Sequence, residues 1–211
     1  MDDRCLLFFI KYPEKGRVKT RLAASIGDER ALMLYKRFLL NILSTLDKGT
    51  FLFYLCFYPA DALESLRKWL GEDYLYIPQQ GMDLGERMKN GFMEAFATNF
   101  KRVILIGSDI PGLPLEFIEE AFASIREKDC VIGPSLDGGY YLIGFKDKKF
   151  SSQVFKGISW STERVFEETM KILEREGLTV HTLKPLRDID KIEDLRNLPR
   201  GFTTPYPTDD R

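Results

Sequence analysis

The sequence contains one histidine, His181, among 211 residues. That excludes any mechanism or metal site built on two imidazoles. Cysteine is scarce as well: Cys5, Cys56 and Cys130 are an odd number, each inside an apolar run. No CxxC pair is present, so neither a disulfide framework nor a thiolate metal site is expected, and the three read as reduced core residues. There is no excess of either charge, with 31 Lys and Arg against 32 Asp and Glu. A global basic field for nucleic acid is thereby excluded. No apolar run is long enough to cross a membrane, and the one after Met1-Asp2-Asp3-Arg4 is too short for a signal peptide. A cytoplasmic location is the expectation from these absences. Internal repeats are lacking, as are the Walker spacing and the Gly-x-Gly-x-x-Gly fingerprint.

What is there alternates. Apolar, strand-like runs at residues 5–10, 51–58, 74–77, 103–106, 130–132, 141–145 and 179–183 are separated by helical periods. Ala31, Leu34, Phe38, Leu39, Ile42 and Leu46 recur at helix spacing, as do Leu84, Met88, Phe92 and Phe96. Strands alternating with helices predict an α/β fold around a mainly parallel sheet. The link Asp137-Gly138-Gly139-Tyr140 is too short for a parallel crossover, so at least one strand there is antiparallel. Residues 1–200 are expected to form a single domain, and 201–211, with no apolar period, a loose tail.

The run Val103-Ile104-Leu105-Ile106 leads into Gly107-Ser108-Asp109-Ile110-Pro111. Ligands in open α/β sheets bind just past the carboxyl ends of strands. Asp109 therefore either caps its turn or serves as a catalytic or metal-binding carboxylate, and the loops that share its edge favour the second. The first of these, Lys11 to Leu22, packs five cations (Lys11, Lys15, Arg17, Lys19, Arg21) against one acid, Glu14. Lys15, Arg17, Lys19 and Arg21 alternate, so an extended segment would present them in one row to a polyphosphate. The loop also contains Pro13 and Gly16.

In the loop Gln80-Gly81-Met82-Asp83, Gly81 permits close backbone approach and a helix follows at once. Asp83 and Glu86 read as a capping box, which leaves Gln80, Gly81 and Arg87 to contact a nucleotide. In Gly133 to Tyr141, Asp137-Gly138-Gly139 suits either an ordinary hairpin turn or close approach of a ligand. Asp190 with Glu193 reads as another capping pair, whereas Asp188 has no such structural role and is placed to reach a metal held by Asp109. Trp160 precedes Ser161 and Thr162, either of which suits a helix cap. Trp160 itself reads as a wall of an acceptor pocket or as a buried rim residue.

Taken in order, Lys11 to Leu22, Gln80 to Met88, Gly107 to Pro111, Gly133 to Tyr141, Trp160-Ser161-Thr162 and Asp188 to Leu195 resemble the selenodomain-associated transferase 1 family. That is a glycosyltransferase-like group of the nucleotide-diphospho-sugar transferase superfamily. The resemblance spans about Leu6 to Leu198. It implies a GT-A-like three-layer α/β/α sandwich that binds a nucleotide or nucleotide sugar, a small-molecule acceptor and a divalent cation, Mg²⁺ or Mn²⁺. It also implies that Lys19 and Arg21 face the phosphates, that Asp109 holds the metal and that Asp188 assists.

The resulting expectation is metal-dependent glycosyl transfer from a nucleotide-diphospho-sugar. Asp137 would be general base, Lys19 and Arg21 would stabilise charge, and Lys11, Gly16, Arg17, Gln80, Gly81 and Arg87 would bind the nucleotide. Gly138, Gly139, Tyr140 and Trp160 would shape the acceptor pocket. The competing expectation is nucleotidyl transfer from an NTP with release of pyrophosphate, which the cation-rich first loop suits. A non-catalytic nucleotide sensor on the same fold is the third.

Overall fold

A computed structural model describes residues 3–198; the segment expected to be a loose tail lies outside them. Seven strands form one sheet: β1 (Arg4–Lys11), β2 (Leu52–Tyr58), β3 (Tyr76–Pro78), β4 (Arg102–Ile106), β5 (Cys130–Pro134), β6 (Tyr140–Lys146) and β7 (Val180–Thr182), in the order β3-β2-β1-β4-β6-β5-β7. Only β6 runs antiparallel, to both β4 and β5. It follows the short turn after β5, where the sequence leaves no room for a crossover. The six α-helices are α1 (Thr20–Ile26), α2 (Asp28–Leu46), α3 (Leu63–Leu70), α4 (Leu84–Ala97), α5 (Leu115–Glu127) and α6 (Val165–Arg175).

Alternate residues of each strand face opposite sides of the sheet. Leu6, Phe8 and Ile10 with Ile104 and Ile106 pack against α2, α3 and α5. Cys5, Leu7 and Phe9 with Val103 and Leu105 pack against α4 and α6. The strands are therefore apolar on both faces, as a covered sheet requires, and the molecule has three layers. Phe92 of α4 anchors the second face, with its ring centroid 5.2 Å from Phe145 and 5.8 Å from Phe155. Cys5, Cys56 and Cys130 are free and buried. Burial pushes the Cys5 thiol up to about 12, so it packs as a small apolar group. Among the described residues no helix is long and apolar enough to cross a membrane.

The order of strands fixes where a ligand fits. From β1 the chain first builds outward through β2 and β3, then returns to place β4 on the other side of β1. The crevice outside the carboxyl ends of β1 and β4 is the point where the winding reverses, and open α/β sheets bind ligands there. The loop after β1 and the loop after β4 both open into it. The turn between β5 and β6 and the segment after β7 lie on the same edge, because β5 and β7 run parallel to each other and antiparallel to β6.

Candidate functional site

The loop after β1 is not the extended row that its alternating cations suggest. Glu14 to Arg17 forms a turn, with the Arg17 amide donating to the Glu14 carbonyl at 3.1 Å. Gly16 has φ +76°, Lys19 is left-handed at φ 48°, and α1 starts at Thr20. Val18 is buried, which turns the loop inward between its charged neighbours. The cations consequently separate. Lys15 pairs outward with Glu29 at 2.7 Å and Arg17 with Glu14 at 3.2 Å. Lys11 ends β1 and is exposed. Of the four alternating cations, Lys19 and Arg21 are the two that reach Asp190 in the segment after β7, Lys19 Nζ at 2.8 Å and Arg21 Nη1 at 3.9 Å.

Lys19 is the centre of the arrangement. Its side chain is 4% exposed, and Nζ lies 2.5 Å from Asp109 Oδ1, 2.8 Å from Asp190 Oδ1 and 2.7 Å from the Ile189 carbonyl oxygen. Burial alone would pull its pKa down; Asp109 and then Asp190 more than offset that and hold it above the ordinary lysine value. The Ile189 amide donates to the Asp109 carbonyl at 2.9 Å, so the segment after β7 is fastened to the loop after β4.

Asp190 is a member of this site that the sequence reading assigns to a cap. The cap is made instead by Asp194, whose Oδ2 accepts from the amides of Asp190 and Lys191 at 3.2 and 2.9 Å. The Asp190 carboxylate is therefore available to Lys19. No local pattern marks it, since its partner is 171 residues away.

Asp188 stands beside these groups. Its pKa is raised to about 6, first by burial and then by the neighbouring charges of Asp137, Asp190 and Asp109. Four carboxylates thus share one edge against Lys19 and Arg21. Among the described residues no three acidic, thiol or imidazole groups form a ready-made metal cage. The donor set still suits a hard divalent ion, because Mg²⁺ is commonly held by one or two carboxylates with the remaining oxygens from phosphate and water. Asp109 and Asp188 would supply the two carboxylates.

The turn carrying Asp137 is firmly set. Asp137 Oδ1 accepts from the Ser135 hydroxyl and from the Gly139 amide, the latter at 2.9 Å. Gly138 has φ +91°, and a Cβ there would lie 2.6 Å from the Glu163 Cα. Its carbonyl accepts from the Phe166 amide at 2.8 Å, locking the turn to the start of α6. Gly138→Ala is therefore expected to cost about 2–4 kcal/mol, from overpacking and positive-φ strain together. A lowered urea midpoint at unchanged slope would confirm it.

Two residues assigned to the acceptor pocket, Tyr140 and Trp160, are partly buried against the core. Tyr140 packs in the core under α4 and α6, with its hydroxyl 3.9 Å from the Met88 sulfur. It is the first residue of β6, and alternation turns it away from the face that Tyr141 covers. Trp160 is half-buried over α4, where a Cβ on Gly85 would come within 2.7 Å of its indole. Helix α6 also begins at Val165, later than a Ser161 or Thr162 cap would place it, since Ser161 is left-handed at φ 65°.

The second loop matches its reading more closely. Asp83 caps α4 by accepting from the Glu86 amide at 2.8 Å, and Glu86 reaches back to the Met82 amide at 2.8 Å. Gly81 has φ +141°, and a Cβ there would meet the Arg87 amide nitrogen at 2.8 Å. Arg87 Nε donates to the Gly81 carbonyl at 3.1 Å, and its guanidinium lies 3.8 Å from the centre of the Tyr58 ring. The Gln80 carbonyl accepts from Asn90 at 2.8 Å. A shallow hollow beside this loop is lined in part by Phe9, Gln79, Gln80 and Arg87.

Tyr35 is a further member that sequence reasoning misses, because one tyrosine in the apolar stripe of α2 looks like core. It is 3% exposed. The Lys11 amide donates to its Oη at 3.0 Å, and the same hydroxyl lies 3.3 Å from Ser108 Oγ. It joins the two strand ends that form the crevice. Tyr35→Phe is expected to lower stability by about 1–2 kcal/mol, since the Lys11 amide and the Ser108 hydroxyl lose a buried partner. Thermal unfolding of the two proteins checks it.

With this geometry in place, comparison with known proteins is informative. Residues 42–162 match the family described as "Uncharacterized protein conserved in bacteria (DUF2064)". The chain belongs to this family. A crystal structure from Desulfovibrio desulfuricans G20, of a protein named as a candidate nucleotide-diphospho-sugar transferase, is 42% identical. It superposes with a TM-score of 0.91 over 95% of this chain and 87% of that one.

Two more distant structures share the fold. 4-Diphosphocytidyl-2C-methyl-D-erythritol synthase from Anaerococcus prevotii DSM 20548 is 10% identical, with a TM-score of 0.59 over 93% of this chain and 94% of that one. CMP:2-keto-3-deoxy-manno-octonic acid synthetase, solved with CTP, is 9% identical, with a TM-score of 0.56 over 92% and 95%. No curated protein matches in sequence. The family member's fold is thus the nucleotide-diphospho-sugar transferase fold, a mainly parallel sheet with one antiparallel strand between two layers of helices.

Proposed function

We propose that this protein is a cytoplasmic, divalent-cation-dependent transferase that moves a glycosyl group from a nucleotide-diphospho-sugar to a small-molecule acceptor. One observation carries the reading: Lys19, Asp109 and Asp190 meet at the crevice between β1 and β4, with Asp188 and Asp137 on the same edge. The reading agrees with the selenodomain-associated transferase resemblance and with the name given to the 42% identical structure.

Asp109 and Asp188 would hold Mg²⁺ or Mn²⁺ against the diphosphate. A bound cation would neutralise the charge that develops on the leaving phosphate. Lys19 and Arg21 would add charge-assisted hydrogen bonds to the same oxygens. Asp137, fixed by Ser135 and Gly139, would take the proton of the acceptor hydroxyl. Gly138 and Gly139 would let the acceptor approach the turn closely. Gln80, Gly81 and Arg87 would contact the nucleoside, and Lys11, Gly16 and Arg17 would bind the nucleotide from the loop after β1.

A second reading, nucleotidyl transfer from an NTP to a phosphorylated small molecule, is supported by the cation-rich loop after β1. The two fold relatives named for cytidylyl products, one of them bound to CTP, point the same way. The nucleotide products separate the two. Release of an NDP from a nucleotide sugar in the presence of Mn²⁺ is expected. Release of pyrophosphate from an NTP would replace the first reading by the second.

A further inference from the structure

An ammonium group has three N–H donors and no acceptor. Lys19 Nζ has three oxygens around it, from Asp109, Asp190 and Ile189. All three donors are therefore spoken for, within a side chain that is 4% exposed. A lysine so placed has nothing left to offer a phosphate. It also occupies Oδ1 of Asp109, an oxygen that a cation bound by both oxygens of that carboxylate would need.

We propose that Lys19 acts as a resident cation between Asp109 and Asp190, and that it exchanges partners when a divalent ion and a phosphate bind. It would let go of Asp109 and Asp190, leaving Asp109 to a divalent ion held with Asp188, and turn its ammonium to the donor phosphates. The inference rests on the reading that Asp109 holds the cation, and adds the occupant that the ion displaces.

Two features support an exchange over a permanent strut. Lys19 is left-handed, at φ 48° and ψ 43°, directly before α1. A non-glycine residue in that region is held by its surroundings at a cost, so loss of its anchors favours a different backbone state. The carboxylates it holds face solvent on their other side, with Asp109 53% and Asp190 31% exposed. An ion can thus reach them while Lys19 is still bound. The exchange couples the two ligands. An ion that displaces Lys19 frees an ammonium for phosphate, and a phosphate that draws Lys19 away frees Asp109 for the ion. Each ligand then strengthens the other reciprocally.

The experiment uses Mn²⁺ alone as probe, with free ion counted by electron paramagnetic resonance, on the full chain and on Lys19→Gln. Removing the resident cation is expected to tighten Mn²⁺ binding by about tenfold or more. Equal or weaker binding by Lys19→Gln overturns the exchange. A second measurement needs no variant. Reductive methylation of the unmodified protein, read by peptide mass spectrometry, reports whether the Lys19 amine is free. Labelling of Lys19 is expected to be slow without metal and to rise when Mg²⁺ is added in the absence of nucleotide. Labelling unchanged at saturating Mg²⁺ overturns the proposal. The failure of the underlying reading is distinct: Mn²⁺ binding by Lys19→Gln that persists after Asp109→Ala would place the ion away from Asp109 altogether.

Discussion

Asp109→Ala is expected to lower turnover by about 10²–10³-fold, the loss seen when one preorganised group that stabilises developing charge is removed. The fold should survive. Asp109 lies in an exposed turn, its side chain is 53% exposed, and Lys19 keeps Asp190 and the Ile189 carbonyl when it goes. An ion pair with so exposed a partner contributes little to stability, on the order of 1 kcal/mol or less. Side-by-side steady-state kinetics and thermal unfolding test both halves. Unchanged turnover would remove Asp109 from the mechanism, and a collapse of the melting transition would make it a structural residue.

Lys19→Met is expected to damage both quantities. The substitution removes three hydrogen bonds from a buried ammonium that ties the loop after β1 to the loop after β4 and to the segment after β7. A loss of about 1–3 kcal/mol in stability follows, since hydrogen bonds to charged groups are stronger than neutral ones while both carboxylates can still be solvated. Turnover should fall by about 10²-fold or more, because the same ammonium is needed on the phosphates.

The pH dependence has a definite sign. Lys19 titrates above its ordinary value in the folded protein, so its contribution is complete below the unfolded lysine pKa of about 10.4 and is lost only as pH rises past it. The stability difference between the two proteins should stay level through neutral pH and shrink in alkali. A difference that instead vanished near neutrality would mean that the ammonium is not held by its carboxylates.

The sheet was legible in the sequence because it is covered on both faces. Its strands are unbroken apolar runs, and the helices between them keep a clear period. Even the antiparallel strand was marked, by a link too short to cross over. The sequence was less informative about which side of an element a residue faces. Lys15, Arg17, Lys19 and Arg21 look equivalent in a row, yet Gly16 and the left-handed Lys19 turn one cation inward and leave two outside. That α1 begins at Thr20 is hidden by the polar character of the loop before it.

Asp190 and Tyr35 were missed for a different reason. Each earns its place through partners far along the chain: Lys19 in one case, Lys11 and Ser108 in the other. Local rules gave Asp190 to a cap that Asp194 makes instead. Tyr140 and Trp160 show how little position along the chain says about side-chain packing. They are near Asp137 and Ser161 in sequence, but their side chains pack in the layer of α4 and α6. The position of a strand-end residue such as Asp109 is legible in the sequence, because a sheet edge is a long-range feature that a single apolar run announces.

The central claim is that a divalent ion and a nucleotide-linked phosphate meet at Asp109 and Lys19. Its most direct measurement is the melting temperature of the full chain with a panel of NTPs and nucleotide sugars, each with and without Mn²⁺. A ligand that binds only the folded state raises that temperature by mass action. At least one nucleotide is expected to raise it in Mn²⁺, to do so much less without the ion, and to lose the ion's effect in Asp109→Ala. Stabilisation that is indifferent to Mn²⁺, or that survives intact in Asp109→Ala, would contradict the claim.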